Sequence, residues 1–198
     1  MTASPSHALP FFQAAGQVCQ KLDKVKVERL AEQLAMVKKN GGRLFILGVG
    51  GSAGNAGHAV NDFRKLCGIE AYAPSDNVSE LTARANDEGW ATIFSGWLKV
   101  SRFGGKDALL IFSVGGGNEA RNISINLIEA IKLAKEVGAK VFGILGRDDG
   151  YTARHADIAI CIPIIDERWI TPISEAFQAV VWHALVSHPL LQTHKTKW

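Results

Sequence analysis

The stretch that decides the fold is RLFILGVGGSAGNAGHAVND, residues 43–62. It starts as an apolar run typical of a buried strand, passes through a glycine-rich turn and continues with helical spacing. Glycines between a strand and a helix allow backbone N–H groups to face an anion at the positive end of the helix. His58 and Asp62 follow, and their side chains are suited to metal binding or proton transfer.

Four further apolar runs alternate with helical segments along the chain. The runs are IEAY, ALLIFS, KVFGIL and DIAICI, and the segments predict helices over residues 52–67, 77–103 with a break near Gly89, 119–137 and 172–187. Continuous apolar strands alternating with helices indicate a parallel sheet covered on both faces. The predicted fold class is therefore α/β, a three-layer doubly wound domain with a five-stranded parallel sheet.

A helical extension is predicted before the first strand. Val27, Leu30, Leu34 and Val37 recur at helical spacing, the glycines at 41–42 stop that helix, and LPFFQAAGQVCQKL predicts another one upstream. The chain accordingly divides into an N-terminal helical extension, residues 1–40, and an α/β domain, residues 41–190.

Composition excludes several classes of protein. The 198 residues carry a net charge of +3 with scattered basic residues, so nucleic acid is not expected as a partner. No stretch approaches the length of an apolar membrane span, and the N-terminus lacks a signal-peptide pattern. The three cysteines lie far apart and are odd in number, which favours a reducing compartment. We expect a cytoplasmic protein without membrane contact.

Two glycine clusters follow strands of the predicted sheet, at Gly48–Gly51 and at Gly115–Gly117. Ligands of such sheets bind beyond the carboxyl ends of the strands. One cluster alone is equally well explained by a tight turn, whereas two at equivalent strand ends favour an anionic ligand. Ser52 and Ser113 would add hydroxyl groups to these loops.

A dinucleotide is the rival ligand. Gly48, Gly50 and Ala53 fit the permissive form of the dinucleotide-binding glycine pattern, and Glu70 and Asp76 lie near the place expected for an acid that binds ribose. This interpretation ranks second, because it assigns no role to the histidine and aspartate that follow.

Metal-capable residues occur on two predicted helices. His58 and Asp62 share one helical face, and the last helix, TPISEAFQAVVWHALVSH, carries Glu175 and His183. A histidine in apolar company is more often a packed core residue than a ligand. Eight residues span about 12 Å of helix. Glu175 and His183 therefore share one ion only if the first turn deviates or different subunits contribute.

Four motifs resemble the SIS (sugar isomerase) domain family, in particular its sedoheptulose 7-phosphate isomerases, also called phosphoheptose isomerases. The motifs are GVGGSAGNAGH, NDEGWATIFS, ILGRDDG and TPISEAFQAVVWH, and the resemblance runs from about residue 41 to residue 188. It implies an aldose–ketose isomerase that converts sedoheptulose 7-phosphate to a heptose 7-phosphate through a metal-assisted enediol mechanism. It also implies a homotetramer with active sites between subunits, for which Phe11, Phe12 and Leu22 could supply an interface.

The resemblance also implies a site. His58, Asp62, Glu175 and His183 correspond to a zinc site, with Asp62 and His183 as the catalytic acid–base pair. Here Asp62 replaces a glutamate of the family and Glu175 replaces a glutamine. The substrate-binding residues implied are Gly50, Gly51, Ser52, Asp76, Asn86, Asp87, Ser113, Gly115, Gly116, Gly117 and Asn118.

The second loop departs from the family pattern. The family has STSGNS, whereas this chain has SVGGGNEARN from Ser113 to Asn122. Backbone N–H groups, Asn118 and Arg121 would then hold a phosphate, and Glu119 would repel it if it pointed inward. The alternative function, which this departure favours, is a non-catalytic SIS module that binds a sugar phosphate or a partner protein.

Overall fold

The computed structural model describes residues 6–195 and contains a five-stranded, fully parallel sheet. The strand order is β2-β1-β3-β4-β5. The strands are β1 (Leu44–Leu47), β2 (Ala71–Tyr72), β3 (Ala108–Ser113), β4 (Lys140–Leu145) and β5 (Ile158–Cys161). The predicted fold class and all five predicted strands are confirmed.

The helices cover both faces of this sheet. They are α1 (Ala8–Lys21), α2 (Lys24–Lys39), α3 (Gly51–Cys67), α4 (Val78–Asp87), α5 (Ile93–Val100), α6 (Ile125–Glu136), α7 (Tyr151–His155) and α8 (Ile170–Val186). Short 3-10 turns lie at Pro74–Asp76, Trp90–Thr92 and Glu167–Trp169. Within residues 6–195, every helix is too short or too polar to cross a membrane.

The strands are buried on both faces because each supplies two sets of apolar side chains. Leu44 and Ile46 of β1 belong to a cluster built with α1, α2, α3 and α8, whereas Phe45 and Leu47 belong to a cluster built with α5 and α6. Alternate residues of a strand point to opposite faces. Continuous burial along LFIL is thus the physical basis of the three layers.

The N-terminal helices share this core. Val18 of α1 and Leu30 and Leu34 of α2 are fully buried in the same cluster as Leu44 and Ile46. The extension therefore packs against the sheet. The boundary between residues 40 and 41 stays a prediction.

One predicted helix begins later than expected. The segment predicted as helical from residue 119 becomes helix only at Ile125, because Asn118 and Ile123 pair as an isolated antiparallel bridge. Asn122 and Ser124 adopt left-handed backbone angles, φ of 53° and 49°. A side chain rarely takes this conformation, and a helix cannot continue through it. The result is a closed loop, residues 114–124, at the carboxyl end of β3.

Candidate active site and metal centre

The turn from β1 into α3 depends on its glycines. A Cβ on Gly48 would lie 2.3 Å from the carbonyl oxygen of Ser52, and Gly50 has a φ of 63°. Gly48 has no room for a side chain, and a side chain at Gly50 would strain the backbone, so the two glycines let the chain turn at once from the strand into the helix. The first turn of α3 consequently lies at the carboxyl edge of the sheet.

The carboxylate of Glu175, a residue of α8, lies against the start of α3. A Cβ placed on Gly51 would lie 2.6 Å from Oε2 of Glu175, so the carboxylate rests against the first residue of the helix. A negative charge is stabilised there by the helix dipole. An anionic ligand at the same turn would meet this carboxylate, so the first glycine loop is a poorer phosphate site than its sequence indicates.

Polar side chains join the beginnings of α3 and α8. Gln178 Nε2 donates a 3.0 Å hydrogen bond to Oγ of the buried Ser52, and Asn55 Nδ2 donates to Gln178 Oε1 at 2.8 Å. Asn55 also donates to the carbonyl oxygen of Glu175 at 2.9 Å. Ser52 was predicted to bind substrate, but in the structure its hydroxyl oxygen accepts a hydrogen bond that links α3 to α8.

Three of the four predicted metal ligands meet further along the same two helices. Asp62 Oδ2 lies 3.5 Å from Nε2 of His58 and 3.5 Å from Nε2 of His183. Three potential ligand atoms, one from each residue, lie within 4.8 Å of one another. His58 and Asp62 are one turn apart on α3, and His183 comes from α8, which packs beside it.

The carboxylate of this cluster is held by two donors. Trp182 Nε1 donates to Asp62 Oδ2 at 3.1 Å, and Asn61 Nδ2 donates to Asp62 Oδ1 at 3.0 Å. Asp62 is 8% exposed, whereas the side chains of His58 and His183 are 57% and 52% exposed. The aspartate is therefore the fixed base of the cluster, and the two imidazoles face the open side.

The geometry fits a metal ion. His183 Nδ1 lies 2.7 Å from the carbonyl oxygen of Ala179, a contact that requires the proton on Nδ1. Nε2 is thus the ring nitrogen of His183 that faces Oδ2 of Asp62, and a cation placed between the two atoms could accept both as ligands. Two imidazoles and one carboxylate are a ligand set found in zinc enzymes, and the bonds from Ala179 and Trp182 orient these ligands.

Glu175 does not belong to this cluster of three. Its carboxylate lies at Gly51, and the seven residues from there to His58 correspond to about 10 Å along the helix axis. α8 is a continuous helix from Ile170 to Val186, so its first turn does not deviate enough to bring Glu175 beside His183.

The second loop is shaped by internal hydrogen bonds. The N–H of Gly116 donates to Oγ of Ser113 at 2.9 Å, which turns the chain sharply after β3. Glu119 pairs with Lys132 of α6 at 2.9 Å and so points away from the sheet edge. Hydrogen bonds from Lys132 to Glu119 and Glu129 raise the pKa of that ammonium group above its usual range. The repulsion that Glu119 would exert on a phosphate in this loop is therefore reduced.

A cavity of about 420 Å³ opens beside this loop. Its lining residues are Gly115, Gly117, Asn118, Arg121, Ile123, Arg147, Asp149 and Gly150. Three predicted substrate-binding positions thus border one cavity, together with two arginines. Arg147 was not among the predicted residues, and its only sequence signal is its place in the ILGRDDG turn after β4.

The remaining predicted binding residues lie elsewhere. Asp76 Oδ1 would be 3.0 Å from a Cβ on Gly57, so this carboxylate lies beside α3 next to His58. It also lines a wider groove of about 750 Å³. Asn86 and Asp87 lie at the exposed end of α4, where Asn86 Nδ2 donates to Asp87 Oδ1 at 2.7 Å.

A parallel α/β sheet with glycine loops at its carboxyl edge and a histidine–carboxylate cluster beside it defines the class of α/β domains that bind ligands beyond the carboxyl ends of their strands. The SIS domain family matches residues 10–146 of the sequence. The chain belongs to the SIS domain family, and the predicted membership is confirmed.

Individual relatives agree with this assignment. The chain is 35% identical over 164 residues to a phosphoheptose isomerase of Trichlorobacter lovleyi, covering 80% of this chain and 78% of the relative. It is 35% identical over 159 residues to the lincomycin biosynthesis protein LmbN of Streptomyces lincolnensis. That match covers 75% of this chain and spans only 56% of LmbN. The solved phosphoheptose isomerase GmhA of Neisseria gonorrhoeae superposes with a TM-score of 0.79 at 26% identity, covering 90% of this chain and 95% of that one.

Proposed function

We propose that this protein is an aldose–ketose isomerase that converts sedoheptulose 7-phosphate to a heptose 7-phosphate. The main observation in support of this function is the position of Asp62, whose Oδ2 lies 3.5 Å from the Nε2 atoms of His58 and His183. The phosphoheptose isomerases among the relatives support the same class of reaction. Family membership also favours a sugar phosphate over a dinucleotide.

Asp62 and His183 would share the proton transfers. The carboxylate removes the proton from the carbon next to the carbonyl, the enediol forms, and the proton returns on the neighbouring carbon. His183 has only Nε2 available, because its Nδ1 is committed to the carbonyl oxygen of Ala179, so it exchanges a proton with the substrate oxygens only in a state in which Nε2 is not bound to the metal. Trp182 and Asn61 keep the carboxylate in place during both steps.

Zinc is the proposed metal. His58, Asp62 and His183 would hold it, and Glu175 stays a proposed fourth ligand that must reach the ion by a movement or from another subunit. A bound zinc ion would stabilise the negative charge that develops on the substrate oxygen. Glu175 replaces the neutral glutamine of the family, and its negative charge would strengthen cation binding while weakening the ion as a Lewis acid.

A homotetramer with active sites between subunits is proposed as well. No residue of α4 is buried, and Val78 on α4 is 66% exposed. Phe12 on α1 is 71% exposed, whereas Phe11 packs against Trp169 of the same chain. Exposed apolar side chains on these helices suit an interface, and Asn86 and Asp87 would then face a neighbouring site. Light scattering that shows a monomer at micromolar concentration would contradict shared sites.

Proton NMR tests the function directly. The zinc-loaded protein is mixed with sedoheptulose 7-phosphate in deuterated water, and we expect exchange of the proton beside the carbonyl together with a new aldose signal. Exchange without a new aldose would establish enediol chemistry on a different sugar. Silence in both signals, with metal far below one equivalent in protein prepared without chelators, would favour the non-catalytic binding module.

A further inference from the structure

We propose that Arg121 and Arg147 form a guanidinium clamp that holds the phosphate group of the substrate and selects a dianionic phosphate monoester. The inference rests on the proposed isomerase function and assigns its phosphate end to residues of this chain. Arg121 belongs to the closed loop after β3, and Arg147 belongs to the turn after β4. Both side chains line the same cavity of about 420 Å³.

Backbone donors accompany the two arginines. Gly115 and Gly117 also line the cavity, and within residues 6–195 neither N–H donates a hydrogen bond to another group. The neighbouring Gly116 N–H is already taken by Ser113. Two guanidinium groups and two unpaired N–H groups around one space make a site for an oxyanion, because each phosphate oxygen can accept several bonds.

The charges of the arginines are available to a ligand. Arg121 makes no ion pair with any group in the described part of the chain. Arg147 pairs with Glu167 at 3.2 Å, but their side chains are 42% and 73% exposed, so this pair contributes little and can be exchanged for a phosphate. Asp149 is the one carboxylate among the described lining residues and offsets one of the two guanidinium charges. The cavity is therefore net positive.

The first glycine loop is a less favourable binding site for a dianion than the cavity beside the second loop. The carboxylate of Glu175 rests on Gly51, at the dipole end where a phosphate would otherwise bind. The turn after β4 packs against the first turn of α8, because a Cβ on Gly146, the residue before Arg147, would meet Oγ of Ser174, the residue before Glu175, at 2.3 Å. A phosphate repelled from Glu175 is thus directed toward Arg121 and Arg147. The serine hydroxyls that the family uses in the second loop are replaced by arginine side chains from two separate loops.

Binding of inorganic phosphate tests the clamp without any need for turnover. Isothermal titration calorimetry is run on the full-length protein and on R121Q, R147Q and the double variant. The matched control is R29Q, which removes the same charge from the exposed surface of α2. We expect each single variant to weaken phosphate binding roughly tenfold or more, since each loses a charge-assisted hydrogen bond, and R121K to recover part of the loss. Equal affinity in R121Q, R147Q and R29Q would overturn the clamp.

Steady-state kinetics with sedoheptulose 7-phosphate separates the two proposals. The clamp predicts that KM rises roughly tenfold or more in R121Q while kcat changes by less than about threefold, because the arginines bind a part of the substrate that does not react. Turnover with an unchanged KM would reject the clamp and leave the isomerase. Absence of turnover in every protein, with phosphate binding still lost in R121Q and R147Q, would reject the isomerase and leave the clamp. Unchanged thermal midpoints would show that Arg121, which is exposed, does not act through folding.

Discussion

Asp62 Oδ2 and His183 Nε2 face each other at 3.5 Å, across the contact between α3 and α8. The two helices follow β1 and β5, which are separated in the sheet by β3 and β4. One short distance therefore joins opposite ends of the domain sequence. Because the aspartate is buried and the imidazole is half exposed, this contact is both part of the core and part of the site.

Metal removal should lower stability, because an ion bound by His58, Asp62 and His183 links the two helices. Ligand present at 100 times its dissociation constant stabilises a protein by about 2.7 kcal/mol. For a domain of this size that corresponds to roughly 5–10 °C in melting temperature. Differential scanning calorimetry with and without a chelator measures the difference. The D62N variant is the control, since it should melt at one temperature in both conditions; a chelator shift that persists in D62N would place the metal elsewhere.

His183→Ala should abolish turnover while the fold is retained. The imidazole is half exposed, so its loss leaves little cavity, whereas a positioned acid–base group contributes roughly 10²–10⁴-fold to the rate. His188→Ala is the comparison variant, because His188 lies just beyond the same helix, is 17% exposed and pairs with Glu28 away from the cluster. NMR-detected exchange in deuterated water compares the two. Full activity of H183A would remove the proposed role.

Trp182→Phe tests whether the buried indole positions Asp62. Trp182 is 1% exposed, stacks on Phe112 and donates to the carboxylate, so phenylalanine keeps most of the packing but removes the donor. We expect metal affinity to fall roughly 10- to 100-fold, with a loss of about 1–3 kcal/mol in unfolding free energy. W97F serves as control, because Trp97 packs on Phe45 on the other side of the sheet. Equal metal affinities in the two variants would count against a positioning role.

The fold could be predicted because its signals are local. Each strand is a continuous apolar run, and Gly48 and Gly50 stand where a side chain would collide or strain the backbone. The predicted start of α6 at residue 119 was wrong, because two non-glycine residues, Asn122 and Ser124, take left-handed backbone angles that composition does not reveal. The bridge between Asn118 and Ile123 closes the loop that contains these angles, and helical spacing does not indicate such a pairing.

The site was predictable only in part. His58 and Asp62 share a helical face by spacing alone, but no spacing links them to His183, which was proposed from the resemblance. The contact of Glu175 with Gly51 and the placement of Arg121 and Arg147 around one cavity depend on how segments that follow different strands meet at the sheet edge. Sequence patterns within one segment do not contain that information.

Glu175→Gln should improve anion binding at the sheet edge. The substitution removes the negative charge from the first residue of α3 and keeps the shape of the side chain. We expect the affinity for inorganic phosphate to rise a few-fold in calorimetry, and the free energy of unfolding to fall by about 0.5 kcal/mol because the helix dipole loses its partner. Glu32→Gln on the exposed surface of α2 is the matched control. An unchanged phosphate affinity relative to E32Q would mean that Glu175 does not limit access of anions to the edge.

Two glycine substitutions in the same segment should act in opposite directions. A Cβ on Gly48 meets backbone atoms of Ser52 at 2.3 and 2.4 Å, so G48A must displace the first turn of α3, and we expect a loss of about 1–3 kcal/mol. Gly54 is an exposed helical residue whose Cβ would meet nothing within 4 Å, so G54A should gain about 0.5–1 kcal/mol by favouring the helix. Urea unfolding midpoints measure both. Because the turn also sets the contact between Gly51 and Glu175, G48A should weaken activity as well as stability. A stable G48A with normal turnover would show that the turn can move without affecting the site.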